Sequence, residues 1–145
     1  MKRIETTVLV HRELNEVVAY LAEPANLPSW IPGTLKAHAT SMGPVRLGST
    51  STRVMNYRGK ESQSEHAVTQ YEPNAVVALT TQSGPLQIVE LFGLELAKGG
   101  TQVTLAEEVA APFFLKPVEW VFARMVGRYL DQYASTLKEQ LETPT

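Results

Sequence analysis

The sequence contains no cysteine, which excludes a disulfide framework, a thiol nucleophile and a thiolate-held metal. It also lacks any apolar run approaching the roughly 18 residues that a membrane-spanning helix requires. Charge is sparse: 13 Lys and Arg stand against 15 Asp and Glu, 19% of 145 residues, for a net −2. The cations are scattered rather than gathered into a stripe, so nucleic acid is not an expected partner. His11, His38 and His66 fall on separate predicted elements without HxH or HExxH spacing, so no metal and no cofactor are expected. No glycine-rich loop leads from a strand into a helix, and no serine occupies a nucleophile elbow. The opening MKRIETTVLV turns to alternation where a signal peptide needs an apolar block, so the expectation is a soluble cytoplasmic protein.

What is present is a globular balance, 43% hydrophobic, in a length that fits a single domain over residues 1–145. Such a chain buries about two thirds of its unfolded surface. Ile4, Thr6, Val8 and Val10 alternate inward along a first strand. Leu14, Val17, Val18 and Leu21 keep helical spacing until Pro24, and a second helical turn, Ala25–Trp30, stops at Ile31-Pro32-Gly33. Leu35–Ser41 reads as a strand and Gly43–Gly48 as a loop. Five strands follow, Ser49–Tyr57, Lys60–Tyr71, Ala75–Ser83, Leu86–Ala97 and Thr101–Val109, joined by short turns.

Two-residue loops fix the register of these strands, because flanking residues then pair and opposite partners share a face. Val68 then faces Leu79, Val77 faces Phe92, Leu94 faces Val103 and Phe92 faces Leu105, an apolar face throughout. The same face carries Ser51, Arg53, Met55, Ser62, Ser64, His66, Thr81, Ser83, Glu90 and Glu107, with Glu90 opposite Glu107. Unpaired charge in a dry core is too costly, so these groups must pair, bind water or meet a ligand. A closing helix places Val118, Phe122, Met125, Tyr129, Tyr133, Leu137 and Leu141 at spacings of three and four, with Arg124, Arg128, Asp131, Lys138 and Glu139 opposite.

The order of these pieces resembles the START-like superfamily, the birch-pollen-allergen fold, and within it the polyketide cyclase/dehydrase and lipid-transport family. The residues that carry the likeness are Glu16-Val17-Val18-Ala19-Tyr20-Leu21 after the first strand, then Glu23-Pro24-Ala25-Asn26-Leu27-Pro28-Ser29-Trp30. Gly43-Pro44-Val45-Arg46-Leu47-Gly48-Ser49, Val68-Thr69-Gln70-Tyr71-Glu72-Pro73 and Gly99-Gly100-Thr101-Gln102-Val103-Thr104 extend it over nearly the whole chain. The resemblance implies an α+β helix-grip fold: a curved seven-stranded antiparallel sheet around a long C-terminal helix, with two short helices between strands 1 and 2. It also implies an apolar cavity. Members bind lipids, sterols, hormones and polyketides, and a minority catalyse aromatising cyclisation or dehydration. The matching residues are architectural, so no catalytic residue is carried over.

The expected function is binding of a hydrophobic or amphipathic small molecule. The expected wall comprises Trp30, Arg53, Met55, Ser64, His66, Leu79, Thr81, Glu90, Phe92, Phe122, Met125 and Tyr129. An enzymatic alternative, a cyclase or dehydratase, has His66, Glu90, Glu107 and Arg53 as its candidates for proton transfer. Each has a plainer role: exposed carboxylates at a sheet end, a rim arginine, a hydrogen-bonded histidine, a tryptophan that only packs. A third reading is a protein-interaction module with an incidental pocket, and a homodimer stays open.

Overall fold

The computed structural model describes residues 2–143. The order is β1 (Lys2–Val10), α1 (Leu14–Ala22), a 3-10 turn (Pro24–Asn26), α2 (Leu27–Trp30), β2 (Thr34–Ala39) and β3 (Thr50–Tyr57). It continues with β4 (Lys60–Glu72), β5 (Val76–Ser83), β6 (Leu86–Ala97) and β7 (Gly100–Ala110). A second 3-10 turn (Phe113–Leu115) leads into α3 (Lys116–Glu142). The strands form one antiparallel sheet in the order β1-β7-β6-β5-β4-β3-β2, the helix-grip architecture. Among the described residues no helix is long and apolar enough to cross a membrane.

Turn chemistry sets the register. Arg58 and Gly59 both take positive φ, 52° and 82°, as a two-residue hairpin of matching twist requires, and Tyr57 pairs with Lys60 across it. Ser83 pairs with Leu86 and Ala97 with Gly100, so the expected pairs Val77–Phe92, Phe92–Leu105 and Glu90–Glu107 all form. The β4–β5 turn differs from expectation. Three residues, Pro73, Asn74 and Ala75, separate Glu72 from Val76, with Asn74 left-handed at φ 61°. A bulge between Val68 and Gln70 adds one residue to β4 and takes out the one-residue offset, so Val68 still faces Leu79.

The core gathers Val10, Val17, Leu21, Leu27, Trp30, Ile31, Phe92, Val103, Leu105 and Leu137, with Trp30 edge-on to Phe92 at 5.7 Å. α3 lies mainly against β1 and β7 and buries Val126, Leu130, Ala134, Leu137 and Leu141, at steps of three and four. The expected phase holds for Leu137 and Leu141 but not for the first half of the helix. Val118, Met125 and Tyr129 are exposed there, while Phe122 and Tyr133 are half-buried. That half carries two apolar stripes, and spacing alone does not say which one meets the sheet.

Gly100 marks the tightest approach in the fold. A Cβ there would overlap the Val10 carbonyl oxygen and lie 2.9 Å from its carbon, both rigid backbone atoms. Gly100→Ala is therefore expected to lower stability by roughly 1–3 kcal/mol through overpacking, read as a shift in the urea midpoint. An unchanged midpoint would show that β1 and β7 can separate at this end without cost.

A cavity under the first helix

The sheet curves away from α1 and leaves a cavity of about 420 Å³. Its roof is α1 with the turn that follows, contributing Val18, Ala19, Ala22, Pro24 and Leu27. Pro44 and Val45 of the loop between β2 and β3 form one side, and Asn74 of the β4–β5 turn borders it too. Its floor is the inner face of β3–β6, with Val68, Val77, Leu79 and Phe92 beside the polar Ser51 and Arg53. The local reasons are simple. Val17 and Leu21 anchor one face of α1 in the core, and Pro24 ends the helix before it can cover the sheet.

Arg53 is the charged group at the floor, and it is nearly inaccessible, 3% exposed. Its guanidinium donates from Nη1 to Glu90 Oε2 at 3.0 Å and from Nη2 to Glu90 Oε1 at 2.5 Å, a two-pronged pair. Burial by itself would raise the Glu90 carboxyl, but the attraction and hydrogen bonds of Arg53 outweigh it and hold the group below its ordinary value. Glu107, opposite Glu90 on β7, is pushed up to about 8 by burial first and by the Glu90 charge second, so it is mostly a neutral acid at pH 7. His66 is pushed down to about 4 by burial and then by Arg53, and its Nε2 is hydrogen-bonded to Ser64 Oγ at 2.8 Å. Arg53 Nε, His66 Nδ1, Trp30 Nε1 and Thr34 Oγ1 are buried without a hydrogen-bond partner among the described residues.

A family model described as polyketide cyclase / dehydrase and lipid transport matches residues 1–142. The chain belongs to that family. None of the curated proteins matches it. Among solved structures it is similar to the di-domain ARO/CYC BexL from the BE-7585A biosynthetic pathway, at 19% identity and a TM-score of 0.81, covering 98% of this chain and 47% of that one. The di-domain ARO/CYC StfQ from the steffimycin biosynthetic pathway gives 11% identity and a TM-score of 0.77, covering 97% and 50%. A START superfamily protein from Mycobacterium smegmatis matches over 97% of both chains, at 16% identity and a TM-score of 0.77. The chain thus spans about half the length of the two di-domain proteins. At these identities the likeness establishes the START-like fold, and ligand binding or cyclisation is the functional range of the family.

Of the residues the sequence nominates for the wall, Arg53, Leu79 and Phe92 border this family member's cavity. Trp30, Glu90 and Glu107 sit behind Phe92 in a separate void of about 10 Å³, closed by Leu130 and Tyr133 of α3. Met55 packs against the core from β3, Ser64 and His66 hold each other on β4, and Thr81 Oγ1 donates to the Glu65 carbonyl. Phe122 lies at the far end of α3, beside Ile4 and Val109. Met125 and Tyr129 differ from expectation: both are exposed on α3, and neither lines the cavity under α1 or the void behind Phe92. The expectation went wrong because it placed the cavity under α3, whereas α3 packs tightly on β1 and β7 and the open space is under α1. The wall residues missed are those of α1 and of the β2–β3 loop. One signal for them existed in Val45, an apolar residue inside a loop bounded by Gly43 and Gly48.

Proposed function

We propose that this chain, read as one domain over residues 1–145, binds a hydrophobic or amphipathic small molecule of lipid, polyketide-like or aromatic type. One observation carries the reading: an apolar cavity of about 420 Å³ with a buried cation, Arg53, at its floor. That size suits a small ligand, and a few placed polar groups orient it. Glu90 accepts one N–H from each Nη of Arg53, and the paired charges nearly cancel. A neutral ligand oxygen is therefore favoured over a carboxylate, since an anion would meet the Arg53–Glu90 pair without an unpaired cation to offset its desolvation.

Cyclisation or dehydration of a polyketide-like substrate is the second reading. The Arg53 guanidinium, held in place by Glu90, would stabilise charge developing on a carbonyl oxygen. Binding without turnover is preferred because the acid–base candidates His66, Glu90 and Glu107 stand outside the cavity wall.

Native mass spectrometry of the purified protein is expected to reveal a bound small molecule, and an apolar dye should bind the native state. Leu79→Trp, which fills the floor, should weaken dye binding about tenfold, or ~1.4 kcal/mol. Dye binding that appears only on partial unfolding would sink the proposal.

A further inference from the structure

The apolar stripe on the outer side of α3 has no role in the core or in the cavity. Phe113, Phe114, Val118, Trp120 and Val121 are 87%, 66%, 40%, 54% and 66% exposed, and all fall within the 3-10 turn and the first turns of the helix. A contiguous exposed patch with this many large side chains marks an interaction surface. Its charge says of what kind. Between Phe113 and Leu130 the cations are Lys116, Arg124 and Arg128, and the single acid is Glu119. Glu119 is only 2% exposed, and its Oε2 accepts from Ala111 N and Lys116 Nζ. Arg124 lies over the Trp120 ring at 5.3 Å, leaving its charge at the rim of the apolar surface. Lys2, at the start of β1 beside Phe122 and Ala123, is an exposed cation at the same end of the sheet. In a chain of net charge −2, this end presents bulky apolar groups with Lys2, Lys116, Arg124 and Arg128 around them, while the neighbouring acids Glu108 and Glu119 are paired with Arg3 and Lys116 and Asp131 accepts from Thr6 Oγ1.

We infer that the Phe113–Arg128 face docks on an anionic lipid bilayer surface. Phe and Trp side chains reach the acyl boundary while Lys and Arg meet the headgroups, which is how an interfacial helix binds. A second copy of the chain fits the face less well. A two-fold interface would bring two copies of the same predominantly cationic surface together. The patch lies at the end of the sheet where β1 begins, opposite the end where α1 covers the cavity.

Flotation of the full chain with phosphatidylcholine vesicles, with and without phosphatidylglycerol, tests this without any cavity ligand, so its outcome is separable from the proposed binding function. Binding is expected only to vesicles containing phosphatidylglycerol, and it should weaken as salt screens the headgroups. Brominated lipids should quench Trp120, while Trp30, 2% exposed in the core, keeps its emission. Phe114→Ser with Trp120→Ser, and separately Arg124→Glu with Arg128→Glu, should each weaken binding about tenfold or more with thermal melting unchanged. Absence of binding to phosphatidylglycerol vesicles at low salt would overturn the inference, as would equal binding by either variant. So would a concentration-dependent dimer that the apolar variant abolishes in the absence of lipid binding.

Discussion

Arg53→Met is expected to cost roughly 3–5 kcal/mol of stability at neutral pH, because it strands Glu90 as a buried anion. Glu90 has 15% of its side chain exposed and both oxygens on Arg53, with Glu107 directly across the strand pair. Without Arg53 the carboxyl must take up a proton to remain buried, so the loss should shrink toward acid pH. Glu90→Gln should cost less. It leaves Arg53 charged, but Glu107, held neutral partly by Glu90's own charge, can then ionise and partly compensate. Replacing both members, Arg53→Met with Glu90→Leu, should recover most of the loss, since neither charge is left alone. Urea unfolding of the three variants decides the matter. An Arg53→Met cost within about 1 kcal/mol would mean that Glu90 is solvated and that the pair does not anchor the cavity floor.

Stability is also expected to fall between pH 6.5 and 8, in a region where most proteins are insensitive to pH. Glu107 has an ordinary value of 4.5 and a folded value of about 8. Below 4.5 both states hold the proton and the stabilisation from the neutral acid is complete. Above 4.5 the unfolded chain releases the proton while the folded one keeps it, so stability declines by up to about 1.4 kcal/mol per pH unit. Unopposed over the whole window, that amounts to on the order of 5 kcal/mol. His66 opposes it over part of the range. Its ordinary value is 6.5 and its folded value about 4, so below 6.5 the unfolded chain gains a proton that the folded one refuses. The two slopes cancel between 4.5 and 6.5, giving a plateau, and Glu107 acts alone from 6.5 to 8. Below 4.5 the depressed Glu90 carboxyl adds its own acid loss. Glu107→Gln should flatten the alkaline limb at little cost near pH 6, because a neutral amide replaces a neutral acid. His66→Gln should extend the slope down to pH 4.5. If the alkaline limb persists in Glu107→Gln, another group titrates there.

The strand part of the fold was legible in the sequence. Period-two alternation and turn dipeptides such as Arg58-Gly59 and Lys98-Gly99 are local signals, and local signals fix which residues share a sheet face. Even the three-residue Pro73–Ala75 turn did no damage, since the bulge at Val68–Gln70 returned the strand to the same face. Those signals also placed Arg53, His66, Glu90 and Glu107 on the inner side, which is why a polar cluster could be anticipated at all.

Three things were decided only in three dimensions. The first half of α3 carries two stripes at helical spacing, and only its packing on β1 and β7 chose Val126 and Leu130 over Met125 and Tyr129. The cavity lies where α1 stands off the sheet, which depends on how far a short helix can cover a curved surface, and no periodicity encodes that distance. Finally, Arg53 on β3 reaches Glu90 on β6 across two intervening strands. Flat strands about 4.8 Å apart would hold those residues some 14 Å from each other. The curl of the sheet brings the two side chains into one desolvated space beneath the cavity floor, and that closure makes one carboxyl an ion and its neighbour a neutral acid.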